Sequence, residues 1–223
     1  QTEHILNIKR IEEERYVWMD RFTIRNLELF YSPNEQAKTL IDVLDETKSA
    51  MGRRMLRRWL SLPLKNKQEI TKRHQMVQEL ISNNAISETL STQIPIIGDL
   101  ERLISKVATL RINPKECSKL KDALYALEPI KKIIQQSSIN SLKDISRRID
   151  VCKTIKIKIE TELNDNPPIL LNKGNVIKEG VDKELDDLRL IKKSGKDYLD
   201  KMLEREIKKT GISSLKISFN NAF

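Results

Sequence analysis

Residues 181–209 read VDKELDDLRLIKKSGKDYLDKMLEREIKK, and the fold follows from this stretch. Val181, Leu185, Leu188, Ile191, Tyr198 or Leu199, and Met202 recur at helical spacing, with Gly195 on the same stripe. Asp182, Glu184, Asp186 and Asp187 crowd the first turns, where negative charge favours the helix dipole. That ordinary role accounts for them without a catalytic carboxylate cluster. Thr210-Gly211 ends the pattern with Gly on the C-cap side. Fully helical, the segment is ~43 Å long at ~1.5 Å per residue. A compact domain of 223 residues needs no helix of that length, and such a helix often connects distant parts of a protein. Gly195 on the stripe permits close packing or a bend.

Composition agrees with a mainly α protein. Aromatic residues make up 4%, with only 6 Gly and 7 Pro, whereas charged residues reach 33%. All-β folds need more turns and more aromatic or β-branched residues, while Lys and Glu suit helix surfaces. The net charge of +9 suits an anionic partner such as DNA. Because the lysines are spread along the chain, a solvated Lys-rich surface is equally open on charge alone. Cys117 and Cys152 stand far apart without a CxxC pattern and read as small apolar residues in a reducing compartment. No apolar run approaches the ~20 residues of a membrane span, and residues 1–10 are too mixed for a signal peptide. These features predict a cytoplasmic chain.

Upstream, Tyr16-Val17-Trp18-Met19 predicts a short strand, with Asp20 able to cap the segment behind it. Leu40 to Leu44 predicts a short helical turn. Ser49 caps an amphipathic helix running to about Leu62, with Met51, Met55, Trp59 and Leu62 inward and Arg53, Arg54, Arg57 and Arg58 outward. Pro63 stops it. A helix over about Lys67 to Ser82 turns Ile70, Val77, Leu80 and Ile81 inward, and Pro95 and Gly98 punctuate the next connection. Asp99 to Leu110 predicts another helix. Asn113-Pro114 is a cap and first-turn pair, and the helix behind it carries Cys117, Leu120, Leu124, Leu127 and Ile130 on one stripe, with a kink at Pro129. Further helices cover Leu142 to Ile149 and Val151 to Leu163. After the breaker Asn164-Asp165-Asn166-Pro167-Pro168, the runs Ile169-Leu170-Leu171 and Val176-Ile177 flank Asn172-Lys173-Gly174-Asn175 like a small hairpin.

Leu215-Lys216-Ile217-Ser218-Phe219 predicts a final strand. The chain starts at Gln1 without Met and stops inside that strand, so the expectation is a piece of a larger protein.

The chemistry is sparse. None of Gly52, Gly98, Gly174, Gly180, Gly195 and Gly211 sits in the GxxxxGK[ST] pattern that cradles phosphates. His4 and His74 are too distant for local ligand spacing, and His74 reads as a surface or core-edge residue. The sequence therefore assigns no catalytic, cofactor-binding or metal residue, and leaves nucleic-acid-binding residues unknown. The Arg53 to Arg58 face could hold phosphates by bidentate pairing. The favoured alternatives are a solvated face or a docking surface for an acidic neighbouring domain.

Identity enters through resemblance. Met19-Asp20-Arg21-Phe22-Thr23-Ile24-Arg25-Asn26-Leu27-Glu28-Leu29 resembles the opening of the core domain in the MutS family of DNA mismatch-repair ATPases. Leu44-Asp45-Glu46-Thr47, Met51-Gly52 and Arg54-Met55-Leu56-Arg57-Arg58-Trp59-Leu60 are similar to later motifs of that family, in order. Pro63-Leu64, Ile70, Arg73 and Gly98-Asp99-Leu100-Glu101-Arg102-Leu103 continue the match. Asn166-Pro167-Pro168, Gly180, Glu184-Leu185-Asp186, Tyr198-Leu199, Glu204-Arg205-Glu206 and Thr210-Gly211-Ile212 with Leu215-Lys216-Ile217 and Phe219-Asn220 look like its lever running into the clamp. Arg21-Phe22 and Ser32-Pro33-Asn34 depart from the family pattern.

The resemblance implies a mainly α fold, a MutS domain III-like helical bundle with a long lever helix and a few short strands. It divides the chain into a core over residues 1–165, a hairpin and lever over 166–211, and the first strand of a truncated clamp over 212–223. It implies a segment linking the ATPase domain to the DNA clamp, with no enzyme activity or cofactor of its own. ATP and Mg belong to the parent protein, a homodimer that binds mismatched double-stranded DNA and a MutL-type repair factor. Two other functions stay open: a paralogue in recombination control or organelles, and a freestanding helical scaffold or interaction protein.

Overall fold

Side-chain caps set where most of the helices begin. In the computed structural model, which describes residues 13–217 except Glu35, eight polar side chains each accept a backbone N–H from the helix they precede. They are Asp20, Thr39, Ser49, Asn66, Asn83, Asp99, Asn113 and Asp182. Such caps contribute about 1 kcal/mol each. They open α1 (Arg21–Asn26), α2 (Leu40–Leu44), α3 (Ala50–Ser61), α4 (Lys67–Ser82), α5 (Asn84–Ile97), α6 (Leu100–Ala108), α7 (Pro114–Gln135) and α10 (Lys183–Thr210). Helices α8 (Asn140–Arg148) and α9 (Lys153–Glu162) start without one.

Helix α7 is the hub, with α5, α8, α9 and α6 packed around it and α4 closing on α5 and α8. Ala123 and Ala126, both buried, leave room for α5 to approach closely, and Ile86 and Ile97 of α5 fill that space. Ile130 and Ile134 meet Leu142 of α8 in the same cluster. The predicted stripe holds here: Leu120, Leu124 and Ile130 are buried. Helix α7 runs on through Pro129 to Gln135.

Polar ties fix the periphery. Glu79 of α4 accepts from the Ser137 and Ser138 hydroxyls at 3.0 and 3.1 Å, pinning the α7–α8 turn. Lys156 of α9 is buried against α7, its ammonium on the Glu128 carboxylate and 4.3 Å from the Tyr125 ring centroid. A buried charge is tolerable only when paired in this way. Tyr125 in turn donates to Glu160.

Several expectations change. The connection around Pro95 is a helix, α5, with Pro95 inside it and Gly98 (φ +61°) after its end. Ile86, Leu90, Ile94 and Ile97 keep helical spacing, and burying them outweighs the hydrogen bond that Pro95 removes. The predicted inward faces of α3 and α4 hold in part: Met51 and Leu62, and Ile70 and Leu80, are half-buried, and Met51 and Leu80 pack against the core cluster, but the other predicted members are not covered. Gly52, Leu56 and Leu60 are half-buried while Met55 and Trp59 are exposed; on α4 Arg73 and Met76 turn in while Val77 and Ile81 are exposed. At Trp59 the Arg73 guanidinium lies 3.7 Å from the ring centroid, so a cation takes the place of an apolar neighbour there.

No β-sheet forms among the described residues. The predicted strand at Tyr16 is a lone antiparallel bridge, Tyr16 to Leu64, because Pro63 offers a carbonyl to Val17 N at 2.7 Å but has no N–H to extend a ladder. The predicted hairpin is absent too. Leu171–Lys173 is a turn of 3-10 helix, and Ile177 pairs with Leu163. The end of α9 offers unpaired carbonyls, and Lys178 N reaches Glu162 O at 2.8 Å. Leu215–Ile217 carries no strand, and the remainder of that predicted strand lies outside the described residues.

Candidate functional site

Reactive chemistry has little foothold. Among the described residues no group of three or more His, Cys, Asp or Glu is placed to hold a metal ion. His74 is exposed on α4, and His4 lies outside the described residues. Gly98, Gly174, Gly180 and Gly211 take positive φ individually, and none is followed by Lys and Ser or Thr. Cys117 and Cys152 are half-buried free thiols, and burial pushes the Cys117 thiol up.

The arginine face of α3 is occupied by the chain's own groups. Arg53 donates to Asp45 at 2.6 Å. Arg54 forks onto both oxygens of Asp99 at 2.9 and 2.7 Å and onto Glu101 at 2.5 Å. The Arg57 guanidinium lies 5.0 Å from the Phe30 ring centroid, and Arg58 is exposed. Three of the four therefore tie α3 to the α2–α3 loop, to the start of α6 and to Phe30. The acidic neighbour expected from the sequence is, for Arg54, a part of this same chain.

Asp99 also caps α6. Its carboxyl is held down from 3.8 to about 2, chiefly by hydrogen bonds from Arg54. A carboxyl depressed on folding stabilises fully above its unfolded value and loses that contribution as pH falls toward its folded value. Arg54→Gln should therefore flatten the acid limb of the melting temperature between about pH 4 and about pH 2. Arg54 is half exposed, so the effect should be small. Thermal melts of both proteins across that range check it; parallel curves would contradict it.

The root of α10 is more ordered than its sequence suggests. Antiparallel pairing joins the segment 176–178 to the end of α9: Asn164 N donates to Val176 O and Lys178 N to Glu162 O, each at 2.8 Å. Arg189 reaches back from α10, donating to Ile177 O at 2.7 Å and to Asp186 Oδ1 at 2.8 Å. Asp186 Oδ2 accepts Gly180 N at 2.7 Å, and Gly180 sits at φ +83° in the intervening turn. The i,i+3 spacing of Asp186 and Arg189 was legible in the sequence; the Ile177 carbonyl as their target was not.

Beyond this root α10 stands clear. It takes part in none of the main helix–helix packings among the described residues. Leu188, Ile191, Tyr198 and Met202, four members of the predicted stripe, are exposed. A Cβ on Gly195 would meet nothing within 4 Å, so of the two roles open to that glycine, close packing or a bend, close packing is not found. No helix among the described residues is long and apolar enough to cross a membrane.

Comparison with known proteins bears on this architecture. The family model described as MutS domain III matches residues 22–218. The whole chain is similar to proteins named DNA mismatch repair protein MutS: 51% identical over 223 residues in Christiangramia forsetii, 50% over 223 in Flavobacterium johnsoniae and 48% over 223 in Bacteroides fragilis. In each case all of this chain is aligned, and it spans about a quarter (26%) of the relative's length.

Proposed function

This chain belongs to the MutS family as its domain III, and from that premise we propose that it is the core and lever linking an ATPase domain to a DNA clamp. The observation that carries the proposal is α10, 28 residues long and free of the bundle beyond its root. A helix of that length spans ~42 Å at ~1.5 Å per residue. A stiff element anchored at one end can relay motion over that distance without any reactive group.

In this reading residues 1–165 are the core, 166–211 the α9–α10 connection and lever, and 212–223 the entry to the clamp. The parent protein binds ATP with Mg and acts in the bacterial cytoplasm as a homodimer on mismatched double-stranded DNA, with a MutL-type factor as partner. Its chemistry resides outside this chain. The clamp holds DNA mainly through the phosphate backbone.

A relay should be poor at both terminal tasks. Titrated with duplex DNA at physiological salt, the chain should bind no more tightly than the ~1–100 μM typical of non-specific contacts, and it should not turn over ATP. Sub-micromolar binding, or turnover by the purified chain, would overturn the assignment.

A further inference from the structure

The turn between α9 and α10 is closed by a ring of three hydrogen bonds. Gly180 N donates to Asp186 Oδ2, Arg189 Nη1 donates to Asp186 Oδ1, and Arg189 Nη2 donates to Ile177 O. The backbone from Ile177 to Gly180 completes the circuit. Ile177 is itself pinned to the end of α9 through its bridge to Leu163. Arg189 is thus the side chain through which the second turn of α10 grips a backbone atom belonging to the α9 end.

Other restraints on this joint are weak. Val181, Leu185 and Leu188 face Ile177 across a shallow open hollow, with Val181 and Leu188 exposed. Gly180 at positive φ makes the turn compact but supplies no side chain to stiffen it. An exposed i,i+3 ion pair contributes little alone. Here both side chains are about 28% and 27% exposed, and one arm of the guanidinium bonds a carbonyl outside the helix. A planar fork can hold a carboxylate and a carbonyl together; an ammonium presents a compact point charge.

We propose that Arg189, oriented by Asp186, is the positioning residue that sets the angle of α10 on the bundle and keeps it from swinging about Gly180. The consequence rests on the lever reading: a lever that pivots freely at its root transmits nothing, however stiff its shaft. The angle itself is a property of this chain and is measurable without any partner.

The test uses pulsed electron paramagnetic resonance on this chain with Cys117→Ala and Cys152→Ala, spin-labelled at Thr154→Cys on α9 and Lys201→Cys on α10. Both label sites are exposed. The native joint should give one narrow distance distribution. Arg189→Leu should broaden it roughly twofold or more, as expected for a released hinge, with helix content and melting temperature nearly unchanged. Arg189→Lys, keeping charge but not the fork, should fall between. An unchanged width in Arg189→Leu overturns the proposal. So does broadening that accompanies loss of helix content, which would make Arg189 a helix stabiliser only. Should Arg189→Leu fail to fold, Arg189→Lys alone decides: native width overturns the proposal and a broader one supports it. A broadened distribution here, with normal ATP coupling in the full-length Arg189→Leu protein, would leave the joint intact as an inference and refute the lever reading.

Discussion

Gly195→Pro in the full-length protein should leave ATP binding and DNA binding in place while slowing ATP-driven DNA release roughly tenfold or more. Gly195 is the thirteenth residue of α10, so a break there divides the helix near its middle. Proline removes the N–H that would bond the Ile191 carbonyl, and its ring crowds that carbonyl, at a cost of about 3 kcal/mol or more. Nothing lies within 4 Å of the position a Cβ would occupy, so no neighbouring side chain among the described residues props the helix straight at this point. Its stiffness there depends on the backbone ladder. About 1.4 kcal/mol of lost coupling corresponds to a tenfold change, and the cost of proline exceeds that.

Gly195→Ala supplies the control. The same open space admits a methyl group without a clash, and alanine favours a helix over glycine by about 0.8–1 kcal/mol. Release should then be as fast as in the parent. Stopped-flow measurement of DNA release after mixing with ATP separates the two variants. If both behave alike, the stiffness of α10 is irrelevant to coupling.

The second large effect concerns the bundle. Ile86→Ala should cost about 2–5 kcal/mol in urea unfolding, the usual range for emptying a buried isoleucine site. Ile86 is 1% exposed and lies in the cluster with Ala123, Ala126 and Ile130. The two alanines of α7 are too small to close over the gap. Ile86→Val should cost about 0.5–1.5 kcal/mol. By contrast, Ile191→Ala on the uncovered stripe of α10 should move stability by no more than about 0.5 kcal/mol in this chain, because that side chain is 68% exposed. With total stabilities commonly near 5–15 kcal/mol, Ile86→Ala would remove a substantial share. A loss below about 1 kcal/mol would show that α5 against α7 is not the core.

Much of the helical plan is visible in single residues. Asn113-Pro114 marks the start of α7, and the structure adds a capping box with Glu116. Ser49 opens α3, Asp20 opens α1, and Gly211 at φ +71° closes α10. Motif order located the family, and the match to MutS domain III supports it over residues 22–218. The failures have physical causes. Pro95 masked α5, because a proline near the end of an apolar stripe looks like a stop. On α3 and α4 only part of the predicted apolar face is covered, and at Trp59 the Arg73 guanidinium stands where an apolar neighbour was expected.

Polar contacts between side chains and distant or turn backbone were the least legible. Asp186 looked like dipole decoration and proves to hold Gly180 N and Arg189. Arg54 looked available for an outside partner and is engaged by Asp99 and Glu101, 45 and 47 residues away. A one-dimensional pattern shows which groups can pair; it does not show which ones the fold brings together.

In the lever reading α10 acts as a rigid relay. In the full-length protein, with exposed Glu184 and Lys208 of one subunit replaced by Cys and spin-labelled, the backbone separation of the two sites should be ~36 Å at ~1.5 Å per residue. Pulsed electron paramagnetic resonance should return one narrow distribution in the DNA-bound state and the same one after ATP has released the DNA. A distribution that shortens or broadens on release would show that the helix bends or melts in the working cycle, and would contradict the account.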